Sequence, residues 1–148
     1  SQAASQGNAA TAGTLAVQLV DSNGQTTTSP VISIANAQPA MASQTSVIRI
    51  ANTGTLASDV RLYVKNLENS AANLDNVLQL TIKDSNEATL YQGSISNLDL
   101  TLASLQSQST KVLSAIVSWP DIASVDDNPY QGATLSFEFA VDSASISA

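Results

Sequence analysis

The chain has 148 residues, 43% of them apolar, enough for one domain with its own core and too apolar for a disordered chain. Only 11% of residues are charged, the net charge is −7, and the five cations (Arg49, Arg61, Lys65, Lys83 and Lys111) do not cluster, so no nucleic-acid partner and no anionic membrane surface is expected. Cysteine and histidine are both absent, which removes disulfides, thiol chemistry, the commonest general base and the commonest zinc ligand, so no enzyme activity and no cofactor are expected.

Ser, Thr, Asn and Gln supply the polar surface that charge leaves open. Such a surface suits a secreted protein, or a subunit packed closely against copies of itself. No apolar run approaches the ~20 residues of a membrane-spanning helix. The chain begins at Ser1 without a secretory signal and reads as a mature secreted chain, extracellular or on the cell surface, with no membrane segment in the mature form.

Residues 1–12 are all small or polar and uncharged, and Gly13 separates them from an alternating segment, 14–20, with Leu15, Val17 and Leu19 on one face. A turn at 21–24 follows, with Gly24 free to take positive φ. A short strand is expected over 31–34 and a loop over 37–41. Over 46–51 a strand is expected with a blurred period, Val47 or Ile48 joining Ile50 in the core, and it ends at the Asn52-Thr53-Gly54 turn. Residues 60–65 alternate cleanly, with Val60, Leu62 and Val64 inward and Arg61, Tyr63 and Lys65 outward.

The polar stretch 66–75 has room for one helical turn. Residues 77–83 place Leu78, Leu80 and Ile82 on one face, and a turn at 84–87 leads to the return arm of a hairpin at 89–92. Residues 95–105 are ambiguous between strand and helical turn. A long strand over 111–119 includes Val112, Ala115 and Val117, a long loop spans 120–132, and a last strand at 134–141 carries Leu135, Phe137, Phe139 and Val141 inward. Short strands between turns, with no long helix and no internal repeat, define an all-β sandwich; jelly-roll and immunoglobulin-like topologies are not separated by this pattern.

Chemistry-bearing residues are sparse. A Ser–Lys pair would have to use Lys83 or Lys111, and no spacing supports one. Asp126-Asp127 reads as a solvated turn; with Asp121 and Asn128 it offers oxygens to Ca²⁺ without a calcium loop's regular spacing, so no metal ligand is assigned. Lys65 or Lys83 could serve an isopeptide staple, but no partner is indicated. Trp119 and Tyr130 bracket the same loop and read either as core closures or as a sugar-stacking pair. No N-x-Ser/Thr sequon occurs.

The arm remains. Strand donation to a neighbour satisfies backbone groups on both sides, and about eight hydrogen bonds at roughly 1 kcal/mol net each offset much of the ordering cost. Ala3, Ala4, Ala9, Ala10 and Ala12 bury little area, but their smallness permits a close fit. Arm and receiving groove are different surfaces, so the contact is heterologous and propagates.

In its order of short motifs the chain resembles the TasA/camelysin family of secreted biofilm-fibre proteins, and by extension related archaeal bundling pilins. The residues concerned are Ala12-Gly13-Thr14-Leu15, then Ile50-Ala51-Asn52-Thr53-Gly54-Thr55-Leu56, Leu90-Tyr91-Gln92-Gly93, Asn128-Pro129-Tyr130-Gln131-Gly132 and Leu135-Ser136-Phe137-Glu138-Phe139. The resemblance implies a jelly-roll-like β-sandwich with an N-terminal donor-strand arm. By position the arm is 1–13, with Ala3, Ala4, Ala9, Ala10, Ala12 and Gly13 as its polymerisation residues and 14–148 as the fibre-subunit domain. The implied partners are identical subunits in a helical homopolymer, with lateral bundling of filaments. The metalloprotease activity described for camelysin-type members does not carry over to a chain without histidine. The alternative expectation is a monomeric secreted adhesin or carbohydrate-binding β-sandwich using Trp119 and Tyr130.

Overall fold

Period-two alternation of β-branched and leucine residues sets the architecture, because one face of each strand must leave water. A computed structural model of the chain describes residues 13–27, 31–34, 43–70, 74–119 and 132–144. Its elements in order are β1 (Val17–Val20), β2 (Val31–Ile34), β3 (Gln44–Asn52), β4 (Ser58–Asn69), a single helical turn α1 (Leu74–Val77), β5 (Gln79–Lys83), β6 (Thr89–Gly93), β7 (Asp99–Leu105), β8 (Thr110–Ser118) and β9 (Leu135–Ala144).

The described strands form two antiparallel sheets, β1-β3-β8-β5-β6 and β2-β9-β4-β7. Pairing is nested: β2 with β9, β3 with β8, β4 with β7 and β5 with β6, so the strand numbers of each pair add to eleven. The two arms of this long hairpin are joined laterally where β9 meets β4 and β8 meets β5. The inner faces share one core. Leu19, Ile48, Ile50, Leu80, Ile82, Leu113, Ala115 and Val117 come from the first sheet, and Ile34, Val60, Leu62, Leu135, Phe137 and Phe139 from the second. Phe137 and Phe139 meet edge to face, with ring centroids 5.3 Å apart. The chain is therefore an all-β sandwich, and no helix among its described residues is long and apolar enough to cross a membrane.

Several local expectations sharpen. The blurred period in β3 resolves with Ile48 and Ile50 inward and Val47 outward, 45% exposed. The ambiguous segment divides: Ile95 and Leu98 are buried in the turn before β7, and the strand starts at Asp99. The strand at 60–65 runs on to Asn69, past a bulge where Asn66 takes φ 55° and its amide donates to Glu138 Oε2 at 2.7 Å. Asn tolerates this left-handed geometry better than most residues. The helical turn falls at 74–77, and Leu74 from it enters the core.

Leu15 is a correction. The alternation placed it inward, yet it is 36% exposed. Regular strand begins only at Val17, and before it the chain follows an irregular loop instead of the β3 ladder.

One repeat escaped the sequence pattern. Asp21-Ser22-Asn23 and Asp84-Ser85-Asn86 build the same turn twice. In each, the Asp side chain accepts from the backbone N–H groups two and four residues on, at 2.8 and 3.0 Å. The fourth position is left-handed in both, Gly24 at φ 80° and Glu87 at φ 67°.

Candidate functional site

Two places on the surface stand out: the segment that begins at Gly13, and one flank of the sandwich.

Gly13 is the one expected arm residue within the described part of the chain; Ala3, Ala4, Ala9, Ala10 and Ala12 lie outside it. Gly13 takes no positive φ. Its lack of a side chain makes room for Leu56, whose Cγ would stand 2.3 Å from a Cβ there. The next residues are stitched to the β3–β4 loop. Thr14 N–H donates to Thr55 Oγ1 at 2.9 Å, and the N–H groups of Thr55 and Leu56 donate to the Thr14 carbonyl at 3.1 and 3.2 Å. Thr53 N–H donates to the Ala16 carbonyl at 2.8 Å. Gly54 makes the approach possible, because a Cβ on it would stand 2.4 Å from the Thr14 carbonyl oxygen.

Asn52 holds this loop in place and is fully buried. Its side-chain amide donates to the carbonyls of Leu56 and Leu105, both at 2.9 Å, and its Oδ1 accepts from Gly54 N–H at 3.0 Å. Its backbone bonds Ser109 and Gln108. One side chain thus ties the loop that holds Thr14 to the end of β7. The Asn52-Thr53-Gly54 turn was visible in the sequence, but the burial of Asn52 was not, because the contact with Leu105 spans 53 residues.

The flank is formed where the sheets end in β6 and β7. Among the described residues β7 pairs with a strand on one side only, β4. Between β7 and Leu90 of β6 lies a groove of about 450 Å³, lined by Leu102, Leu105, Ser109 and Lys111 among others. Leu90, Leu100, Leu102 and Leu105 are only partly buried, although all four pack against the core. A bulge near the end of β7, with Ser104 at φ 54° and its N–H donating to Asp59 Oδ1 at 2.9 Å, twists the last residues of that edge. Asp99 is the only charged residue in β7.

The remaining candidates separate. Trp119 is a core residue, 2% exposed, so its ring is no platform for a sugar; Tyr130, Asp121, Asp126, Asp127 and Asn128 lie outside the described residues. Lys65 stands opposite Glu138 on the outer face of β4, and Lys83 lies 3.9 Å from Glu87. Among the described residues no three carboxylates converge as a metal site would require. Of the resembling segments, Thr14-Leu15 docks onto Thr53-Gly54-Thr55-Leu56, whereas Leu90–Gly93 lies in β6 and Leu135–Phe139 in β9.

No family model, no curated protein and no solved structure matches this chain.

Proposed function

We propose that this chain is a structural subunit of a secreted, extracellular filament, resembling the TasA/camelysin fibre proteins, that polymerises head-to-tail by donating residues 1–12 as a strand to the next copy. The observation that carries the reading is the open flank beside β7. Among the described residues a seven-residue edge strand is paired on one side only, over a row of half-buried leucines. An added strand would complete both the hydrogen-bond ladder and the core there. The arm's twelve uncharged residues reach at most about 40 Å when extended, longer than the roughly 23 Å edge of β7.

The nested pairing supports the jelly-roll form of the sandwich, with β1 added beside β3 as an extra strand. The hydrogen bonds fixing Thr14 and Ala16 to the 53–56 loop give the arm a defined point of departure at Gly13. Burial of Trp119 weighs against the sugar-binding alternative.

Electron microscopy of the full chain and of a chain lacking residues 1–12 tests the reading. At high salt, where contacts between charged faces are screened, the full chain forms filaments and the shortened chain forms none, with an unchanged circular-dichroism spectrum. Filaments from the shortened chain at high salt overturn the proposal.

A further inference from the structure

Charge on the strands is sorted by sheet. The strands of the β1-β3-β8-β5-β6 sheet carry Arg49, Lys83 and Lys111 and no carboxylate, a charge of +3. Those of the β2-β9-β4-β7 sheet carry Asp59, Glu68, Asp99, Glu138 and Asp142 against Arg61 and Lys65, a charge of −3. A chain of net charge −7 therefore keeps one sheet free of acids.

The outer face of that acid-free sheet is also unusually apolar. Ile48, Leu113 and Ala115 point into the core, so alternation turns Val47, Arg49, Val112 and Ile116 outward. Val47 and Val112 are 45% and 40% exposed. Register sets them on the diagonal of one strand pair, Val47 opposite Ser114 and Arg49 opposite Val112. Ile116 stands opposite Thr45 on one side and Thr81 on the other. Arg49 and Lys83 are the charges that the strands give this face, Lys83 lying 3.9 Å from Glu87 of the adjoining turn, while Lys111 turns to the flank groove.

The outer face of the other sheet has the opposite character. Asp142 and Arg61 are opposite each other, as are Glu138 and Lys65, and Asp99 faces Tyr63. Arg61 is already occupied, 2.7 Å from Asp99 and 3.6 Å from Asp142, and lies over the Tyr63 ring at 4.3 Å. Carboxylates remain in excess.

From this sorting we infer that the outer face of the β1-β3-β8-β5-β6 sheet docks on the outer face of the β2-β9-β4-β7 sheet of a second copy. Two copies of the cationic face would repel one another, as would two anionic faces, so the contact is heterologous and repeats from copy to copy. Strands of four, nine, nine, five and five residues, about 4.8 Å apart and rising about 3.3 Å per residue, make a face of roughly 500 Å². A standard interface uses about 800 Å² per partner, so the face has the size of a weak, reversible contact. Neither the arm nor the β7 flank takes part, and the inference stands apart from strand donation.

Sedimentation velocity of the full chain at low and high salt tests it. Association weakens with salt. In the double variant Arg49→Glu with Lys83→Glu the association constant falls at least about tenfold. It recovers when Glu138→Lys and Asp142→Lys are added, an exchange that strand donation along β7 would not feel. If the exchanged chain melts early, Val47→Gln with Val112→Gln on the exposed face must give the same fall. A chain that stays monomeric, association indifferent to salt and to charge reversal, or a correctly folded exchanged chain without recovery overturns the proposal.

Discussion

The side-chain amide of Asn52 donates to the carbonyl of Leu105 at 2.9 Å, joining the end of β3 to the end of β7 across 53 residues of chain. The same amide group holds Leu56 at 2.9 Å, and its oxygen holds Gly54. Removing the side chain leaves buried carbonyls without a donor. Asn52→Ala is expected to cost roughly 2–4 kcal/mol in urea denaturation. Asn52→Asp should be worse at neutral pH, because a buried carboxylate would face two carbonyl oxygens. Burial and those oxygens raise the introduced carboxyl's folded-state pKa above its unfolded value, so the penalty is present at high pH. Stability must then return as pH falls through the folded-state value towards the unfolded one. A pH-independent deficit would contradict this account.

The twin Asp turns make a paired comparison. Glu87 holds at φ 67° the position that Gly24 holds at φ 80°. A left-handed residue with a Cβ carries a strain of about 1 kcal/mol. Glu87→Gly should therefore stabilise the chain by roughly 0.5–1 kcal/mol, and the lost exposed contact to Lys83 offsets little of it. Gly24→Glu should destabilise by a similar amount. Equal melting temperatures for both variants and the native chain would contradict the strain argument.

Where Thr14 meets the β3–β4 loop, Gly54→Ala and Gly13→Ala should differ although both glycines sit in close contacts. The added methyl at Gly54 meets the Thr14 backbone, which cannot yield without breaking the stitching, whereas at Gly13 it meets Leu56, a side chain 43% exposed and able to turn away. We expect about 2 kcal/mol at Gly54 and under 1 kcal/mol at Gly13. Hydrogen exchange at Thr55 and Leu56 should rise only in Gly54→Ala. Equal effects would mean that Leu56 is held as rigidly as backbone.

Trp119→Ala should behave as a core truncation. The ring is 2% exposed, and its loss should cost about 3–5 kcal/mol. Thermal melting reads this directly. A variant with native melting that had lost binding to a glycan would instead restore the sugar-binding alternative.

Much of the fold could be read from alternation alone, because Val60, Leu62, Leu80, Ile82, Phe137 and Phe139 are inward by both pattern and structure. Leu15 misled because alternation reports which face a residue shares, not where the ladder stops. Residues 95–105 were ambiguous since Ile95 and Leu98 have helical spacing yet are core residues of a turn. The groove beside β7 had no local signal at all. Leu90 and Leu102 line it from consecutive strands, but β6 and β7 belong to different sheets, which alternation does not report. The charge sorting had the same origin: Lys83 and Asp99 are close along the chain, but they belong to opposite sheets.

The nested pairing also dictates when the molecule can exist. Both sheets are completed from the C-terminal end of the chain, since β8 lies between β3 and β5 and β9 lies between β2 and β4. Strands made early have no neighbour but one another until these central strands arrive. A growing or threading chain can form the β5–β6 hairpin, whose partners are adjacent, but cannot close either layer. Folding is therefore a late, whole-chain event dominated by distant contacts, slow for a domain of this size. The apolar faces of the earlier strands wait in the open meanwhile, and loss of β9 alone would leave β2 without the neighbour it pairs with.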